Sequence, residues 1–158
     1  MKYYIAYGSN LNIDHMSVRC PNAIPVGTTV LEDWTLAFHM HLNIERCFTC
    51  QVPAVVWEIT DADEQALDRY EGYPDYYTKK TLTVWVHAFT GRLKKVDAMV
   101  YIMRFIPAPL MPPTQDYYQS VLKGYEDFRI DTTPLNAALE KAKAYCRSRY
   151  DEDKEVLE

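Results

Sequence analysis

No apolar run in this 158-residue chain approaches the roughly 18 residues a membrane span requires. The first residues lack a basic stretch followed by an apolar one, so no signal peptide is expected. Lysine and arginine never gather into a dense block, and the net charge is −5, which argues against nucleic acid as a partner. Cysteine occurs four times. In a chain that reads as cytoplasmic, those cysteines are expected to be free thiols. No internal repeat, low-complexity tract or domain boundary interrupts the sequence.

What remains is an ordinary globular composition, 48% hydrophobic and 25% charged. The length suits a single domain spanning residues 1–158, with enough chain to bury a core. Tyrosine is the exception, with 13 copies. A tyrosine fills apolar space and keeps a polar tip, so core packing or a pocket wall would suit it.

The elements follow from pattern. Lys2–Ala6 is aromatic and β-branched and reads as a strand. Asn12 or Asn10 caps a short helix from Ile13 to Arg19. Two strands are expected at Ala23–Leu31 and Trp34–Met40, joined by a polar turn at Glu32-Asp33. Residues His41–Gln51 read as irregular, and Val52–Ile59 as a strand. Thr60-Asp61 opens a helix in which Asp61 and Glu64 form a capping box, and Gly72 ends it. Tyr77–Ala88 and Val96–Arg104 read as strands around a turn containing Gly91. Ile106–Pro113 is a proline-rich linker or cleft rim. Thr114 caps a helix with Tyr118, Val121, Leu122 and Tyr125 on one stripe. A last helix covers about 134–150, with a frayed charged tail over 151–158. The fold class is therefore α+β, with a mixed, strongly curved sheet or small barrel.

Two stretches carry candidate chemistry. Tyr7-Gly8-Ser9-Asn10-Leu11 closes the first strand with spaced backbone N–H groups, a hydroxyl and an amide. Gly8 lets the chain turn sharply and lets a ligand reach the backbone. Such a nest suits a carboxylate or a developing oxyanion. Far downstream, Glu71 ends a helix, where the macrodipole disfavours its charge by ~0.3–1 kcal/mol. Tyr70, Tyr73, Tyr76 and Tyr77 surround it in sequence. Partial burial among them would raise its pKa toward that of a general base at neutral pH.

These residues resemble the γ-glutamylcyclotransferase-like proteins. The resemblance is carried by Tyr7–Leu11, by Met16 and Arg19-Cys20-Pro21, and by Leu67-Asp68-Arg69-Tyr70-Glu71-Gly72-Tyr73-Pro74. Val100-Tyr101, Pro112, Tyr118 and Gly124-Tyr125 extend it, so that it covers Lys2 to Asp127. It implies a small mixed β-barrel with flanking helices. It implies a cavity bounded by Gly8–Leu11 and faced by Glu71. The implied reaction is attack of a substrate's α-amino group on its own γ-carbonyl, giving 5-oxoproline and a free amine or amino acid. Glu71 would be the general acid/base. Tyr7, Gly8, Ser9, Asn10, Leu11 and Tyr77 would bind the small γ-glutamyl substrate. No metal or cofactor is needed, and neither nucleic acid nor membrane is an expected partner.

Departures from the pattern lie at His39–Gln51 and in the helix after Pro134. Cys47-x-x-Cys50 with His39 and His41 has the residue types of a zinc site, yet one such pair is common by chance. A non-catalytic module that grips an anion with the same pocket is the alternative to an enzyme.

Overall fold

The computed structural model describes residues 1–105 and 109–157. Five strands close into a barrel in the order β1-β3-β2-β4-β5. They are β1 (Lys2–Ala6), β2 (Ile24–His39), β3 (His41–Ile59), β4 (Tyr77–Ala88) and β5 (Leu93–Met103). Around them lie α1 (Ile13–Arg19), α2 (Asp61–Glu71), α3 (Gln115–Asp127) and α4 (Thr133–Leu157). The architecture is the expected α+β barrel. β1 runs antiparallel to β3 from Lys2↔Ile59 to Ala6↔Val55, and meets β5 in parallel at Tyr4↔Met99. Ile5, Val55, Val56, Ile59, Val86 and Val100 fill the interior and are fully buried.

The helices start and stop where local chemistry dictates. The Asn12 side chain accepts the His15 N–H at 3.0 Å and caps α1. Thr60 caps α2, and the reciprocal partner is Asp63 at both 3.1 Å contacts, not the expected Asp61–Glu64 pair. The box geometry requires a side chain three residues after the cap, and Thr60 is that cap. Glu64 instead bonds Lys2 and Lys79. Gly72 ends α2 in the left-handed region, φ 65°, and so places Glu71 in the last turn.

The region from 23 to 51 departs from expectation. β2 is one strand rather than two, because the chain runs on through Glu32-Asp33 without turning, and β3 bulges there with Cys47–Cys50 opposite Asp33. Asp33 has φ 64°, and its carboxylate accepts the Thr49 N–H at 3.0 Å. Residues 41–51 are not irregular; they are the first half of β3, paired with β2 from the tip pair His39↔His41 onward. The bulge brings Cys47 and Cys50 to a Cα separation of 5.4 Å, and they are joined as a disulfide. The expectation of four free thiols therefore holds for Cys20 and Cys146 only. Phe48 stands exposed between the paired cysteines.

The ribbon tip docks rather than waving free. Met40 N–H donates to the Met111 carbonyl, Met111 N–H donates to Phe38, and both are 2.9 Å. Asn43, fully buried, accepts the Met103 N–H at 2.9 Å and ties β3 to β5. Of the proline-rich connection, residues 106–108 lie outside the described residues; Met111 serves as a strut for the ribbon. The tail from 151 to 157 continues α4 as helix instead of ending it at about 150. Among the described residues, no helix is long and apolar enough to cross a membrane.

Candidate active site

One cavity of about 160 Å³ opens at the end of β1, between α2, the ribbon tip and α3. Its wall includes Tyr7, Gly8, Ser9 and Asn10 from the first stretch and Glu71 and Tyr77 from the second. Leu11 is not part of that wall. It is fully buried, and its N–H donates to the Gly8 carbonyl at 3.0 Å.

The loop after β1 is a 3-10 turn over Ser9–Leu11. Its own bonds use the N–H groups of Leu11 and Asn12, which leaves those of Ser9 and Asn10 outside the turn's hydrogen bonding. Gly8 has φ −125°, and an added Cβ would sit 3.6 Å from Leu42 and from the Tyr117 hydroxyl. Crowding therefore does not demand glycine there, and the backbone of Gly8, at ψ −129°, lies outside the regular helix and strand regions. Gly124 is different: a Cβ on it would come within 2.6 Å of Asn12 N and Leu11 Cβ. This close approach seats α3 directly on the turn and brings Tyr117 over the cavity.

Glu71 is half-buried and faces Asn10, whose Nδ2 donates to its Oε1 at 3.3 Å. The same Nδ2 donates to the Tyr4 hydroxyl at 2.9 Å, and Asn10 Oδ1 accepts from Arg19 Nη1 at 2.5 Å. Burial raises the Glu71 pKa to about 7, and the Arg19 guanidinium opposes that rise. Burial also drives the pKa values of Tyr4, Tyr7, Tyr77, Tyr101 and Tyr117 upward, so these phenols stay protonated. The cavity therefore presents one acid of neutral pKa in a wall of hydroxyl groups.

Several of those hydroxyls are already committed to the frame. Tyr7 donates to the Tyr101 carbonyl and Tyr77 to the Leu42 carbonyl, both at 2.7 Å. The Tyr117 hydroxyl accepts the Leu42 N–H at 3.1 Å. Ser9 Oγ and the Tyr70 hydroxyl share a hydrogen bond of 3.0 Å. Tyr101 donates to Asp68, which pairs with Lys79 at 2.9 Å.

The model of the family described as "Gamma-glutamyl cyclotransferase, AIG2-like" matches residues 4–120, which hold both stretches and α3 as far as Ser120. The chain belongs to that family. A solved structure titled "Gamma-glutamyl cyclotransferase" is 24% identical, with a TM-score of 0.70 over 91% of this chain and 87% of that one. An uncharacterized protein from Homo sapiens is 25% identical, with a TM-score of 0.66 and the same two coverages, 91% and 87%. YkqA from Bacillus subtilis is 21% identical with a TM-score of 0.68, covering 91% of this chain and 55% of that one. No curated protein matches the chain by sequence.

Within this γ-glutamyl cyclotransferase-like chain, the sequence missed several wall residues. Tyr4, Tyr70, Tyr76, Tyr101, Tyr117 and His41 also line the cavity. Tyr70 and Tyr76 were marked only as neighbours of Glu71 in sequence, Tyr4 and Tyr117 only by the tyrosine count, and His41 only beside the cysteine pair. His41 bonds the Tyr76 hydroxyl through Nδ1 at 3.3 Å, and burial lowers its pKa. His39 turns the other way, to Glu45 at 2.8 Å and to the Pro109 carbonyl at 3.2 Å. The two histidines and the cysteine pair thus have separate partners. Among the described residues, no three metal-binding side chains of the His, Cys, Asp and Glu types gather.

Proposed function

We propose that this protein cyclises a γ-glutamyl amide to 5-oxoproline, with Glu71 carrying the proton. The observation behind this reading is the Glu71 carboxyl, held in the cavity beside Asn10 with a pKa of about 7. A carboxyl so tuned gains and loses a proton readily at neutral pH.

Nucleophile and electrophile belong to one molecule, so the site need only hold the bent conformer. Fixing it can supply several kcal/mol, on the order of the effective molarities of intramolecular reactions. The substrate's α-ammonium group gives a proton to the Glu71 carboxylate, and the free amine attacks the γ-carbonyl carbon. The new C–N bond closes a five-membered ring and leaves a tetrahedral oxyanion. The Ser9 and Asn10 N–H groups, which the turn's own bonds leave unused, would meet that oxygen or the α-carboxylate. The protonated Glu71 then passes its proton to the departing nitrogen as the old C–N bond breaks, and the carboxylate so restored takes the second proton from the ring nitrogen, leaving a neutral lactam, and hands it to the released amine. Such a shuttle is worth ~10²–10⁴ in rate.

Size supports the same reading. A cavity of about 160 Å³ is near the volume that takes up one benzene-sized group. The γ-glutamyl unit fits that scale, and the leaving amine would extend past His41 and Tyr76 toward solvent. The test is mass spectrometry of a panel of γ-glutamyl amino acids and γ-glutamylamines incubated with pure protein. Release of 5-oxoproline from at least one, lost in Glu71→Gln, supports the reaction. Binding without turnover across the whole panel would leave an anion-gripping module instead.

A further inference from the structure

α1 is short and ends at Arg19, whose side chain reaches back to the turn after β1. The guanidinium lies 3.5 Å from the Tyr70 ring centroid, and Tyr70 is itself held by Ser9 at 3.0 Å. One arm of the guanidinium, Nη1, donates to Asn10 Oδ1. Asn10 is 2% exposed, so its amide cannot exchange these partners for water.

An asparagine amide has one accepting end and one donating end. A guanidinium only donates, so it accepts no other orientation of Asn10 than the one with Oδ1 toward it. Nδ2 is then forced to the opposite side, where Tyr4 and Glu71 wait at 2.9 and 3.3 Å. Turned the other way, Asn10 would set an oxygen against the Glu71 carboxylate. We propose that Arg19 is a positioning residue, which locks the Asn10 amide so that Nδ2 donates to Glu71. It rests on the reading of Glu71 as the proton carrier, and adds what keeps that group usable as a base.

Arg19 is the cation acting on Glu71. From β1 and the residue that follows it, Tyr4 and Tyr7 face the acid, and from α2, β4 and its approach come Tyr70, Tyr76 and Tyr77. Tyr101 of β5, Tyr117 of α3 and His41 of β3 complete the titratable groups. Burial shifts the phenols of Tyr4, Tyr7, Tyr76, Tyr77, Tyr101 and Tyr117 upward and lowers His41, so these seven groups are uncharged at neutral pH. Without the amide donor, only burial and the charge of Arg19 would govern Glu71.

The test is a carbon-13 NMR titration of the Glu71 carboxyl in the substrate-free protein, wild type against Arg19→Met, Asn10→Ala and the double variant. Asn10→Ala is expected to raise the midpoint by about one unit, tenfold in acidity, Arg19→Met to raise it further because its charge is lost as well, and the double variant to go no higher than Arg19→Met. Arg19→Lys, which keeps a donor for Oδ1, should stay near wild type. Asn10→Asp keeps shape and Arg19 but turns an oxygen on Glu71, and should raise the midpoint more than Asn10→Ala. That variant carries the test should Arg19→Met not fold. An unmoved midpoint in Arg19→Met overturns the inference, as does a double variant whose shift is the sum of the singles, since Arg19 would then act by its field alone. A protein that titrates as expected yet turns over no γ-glutamyl compound loses the proposed reaction and keeps this inference. Turnover with an unmoved midpoint does the reverse.

Discussion

Asn10 and Glu71 stand 61 positions apart in sequence and 3.3 Å apart in space. The contact joins the turn after β1 to the last turn of α2, and it puts an amide donor on the one acid of the cavity wall. Much of the expected behaviour of the protein can be traced to this contact.

Removing the acid should stop the chemistry and spare the pocket. Glu71→Gln keeps the size and the contact with Asn10 but cannot carry a proton. A fall of about 10²–10⁴ in kcat is expected, with substrate affinity within a few-fold of wild type. In the wild type, kcat/KM should climb as pH rises through about 7, because the base form of Glu71 starts the reaction. Steady-state kinetics between pH 5 and 9 would read both; a flat acid limb would remove Glu71 as the base.

The same acid should weaken the fold at alkaline pH. Its folded pKa of about 7 lies above the ordinary value of 4.5, so the folded state binds the proton more tightly than the unfolded chain. Its contribution to stability is therefore complete below pH 4.5 and is lost as pH rises through about 7. The full swing is on the order of 3 kcal/mol. Glu71→Gln should accordingly be more stable than wild type at pH 8 and equal to it near pH 4, by urea denaturation at each pH. A variant less stable at pH 8 would contradict burial as the cause.

Tyr77 should matter to the frame more than to the ligand. The sequence marks it as a hydrogen-bonding partner for substrate, yet its hydroxyl donates to the Leu42 carbonyl at 2.7 Å. Tyr77→Phe leaves that buried carbonyl short of a donor, at a cost of about 1–3 kcal/mol. Thermal unfolding should show the loss, with KM changed only modestly. Unaltered stability with a large rise in KM would return Tyr77 to the ligand.

Gly124 should resist even a methyl group. A Cβ there would meet the backbone of Leu11 and Asn12 at 2.6 to 2.7 Å, atoms that cannot swing aside. Gly124→Ala must lift α3 from the turn and carry Tyr117 with it. A destabilisation of about 1–3 kcal/mol and a drop in activity are expected. A melting temperature equal to wild type would mean that the contact is loose.

How much of this could be read from sequence varied along the chain. α1, α2 and β4 were legible because caps, Gly72 and alternating burial mark them locally. β2 and β3 were not, since Glu32-Asp33 has turn composition while the chain runs on through it, opposite a bulge of β3 fastened by Thr49. The run from His41 to Gln51 looked irregular because buried Asn43 and half-buried Glu45 occupy strand positions, where Asn43 Oδ1 accepts from Met103 and Glu45 pairs with His39. Glu71 and the Tyr7–Asn10 stretch were visible as motifs. The rest of the wall comes from β1, the ribbon tip, β5 and α3, and sequence does not say which tyrosines of 13 those elements would turn inward.

Among the described residues, β2 and β4 pair only through Gly27 with Ala88 and Thr28 with His87, whereas β4 and β5 pair along nearly their whole length. Gly27 makes that short clasp close at all, since any side chain would drive into the His87 and Ala88 backbone. The closure of β2 on β4 therefore depends on a single hydrogen atom where other residues carry a carbon.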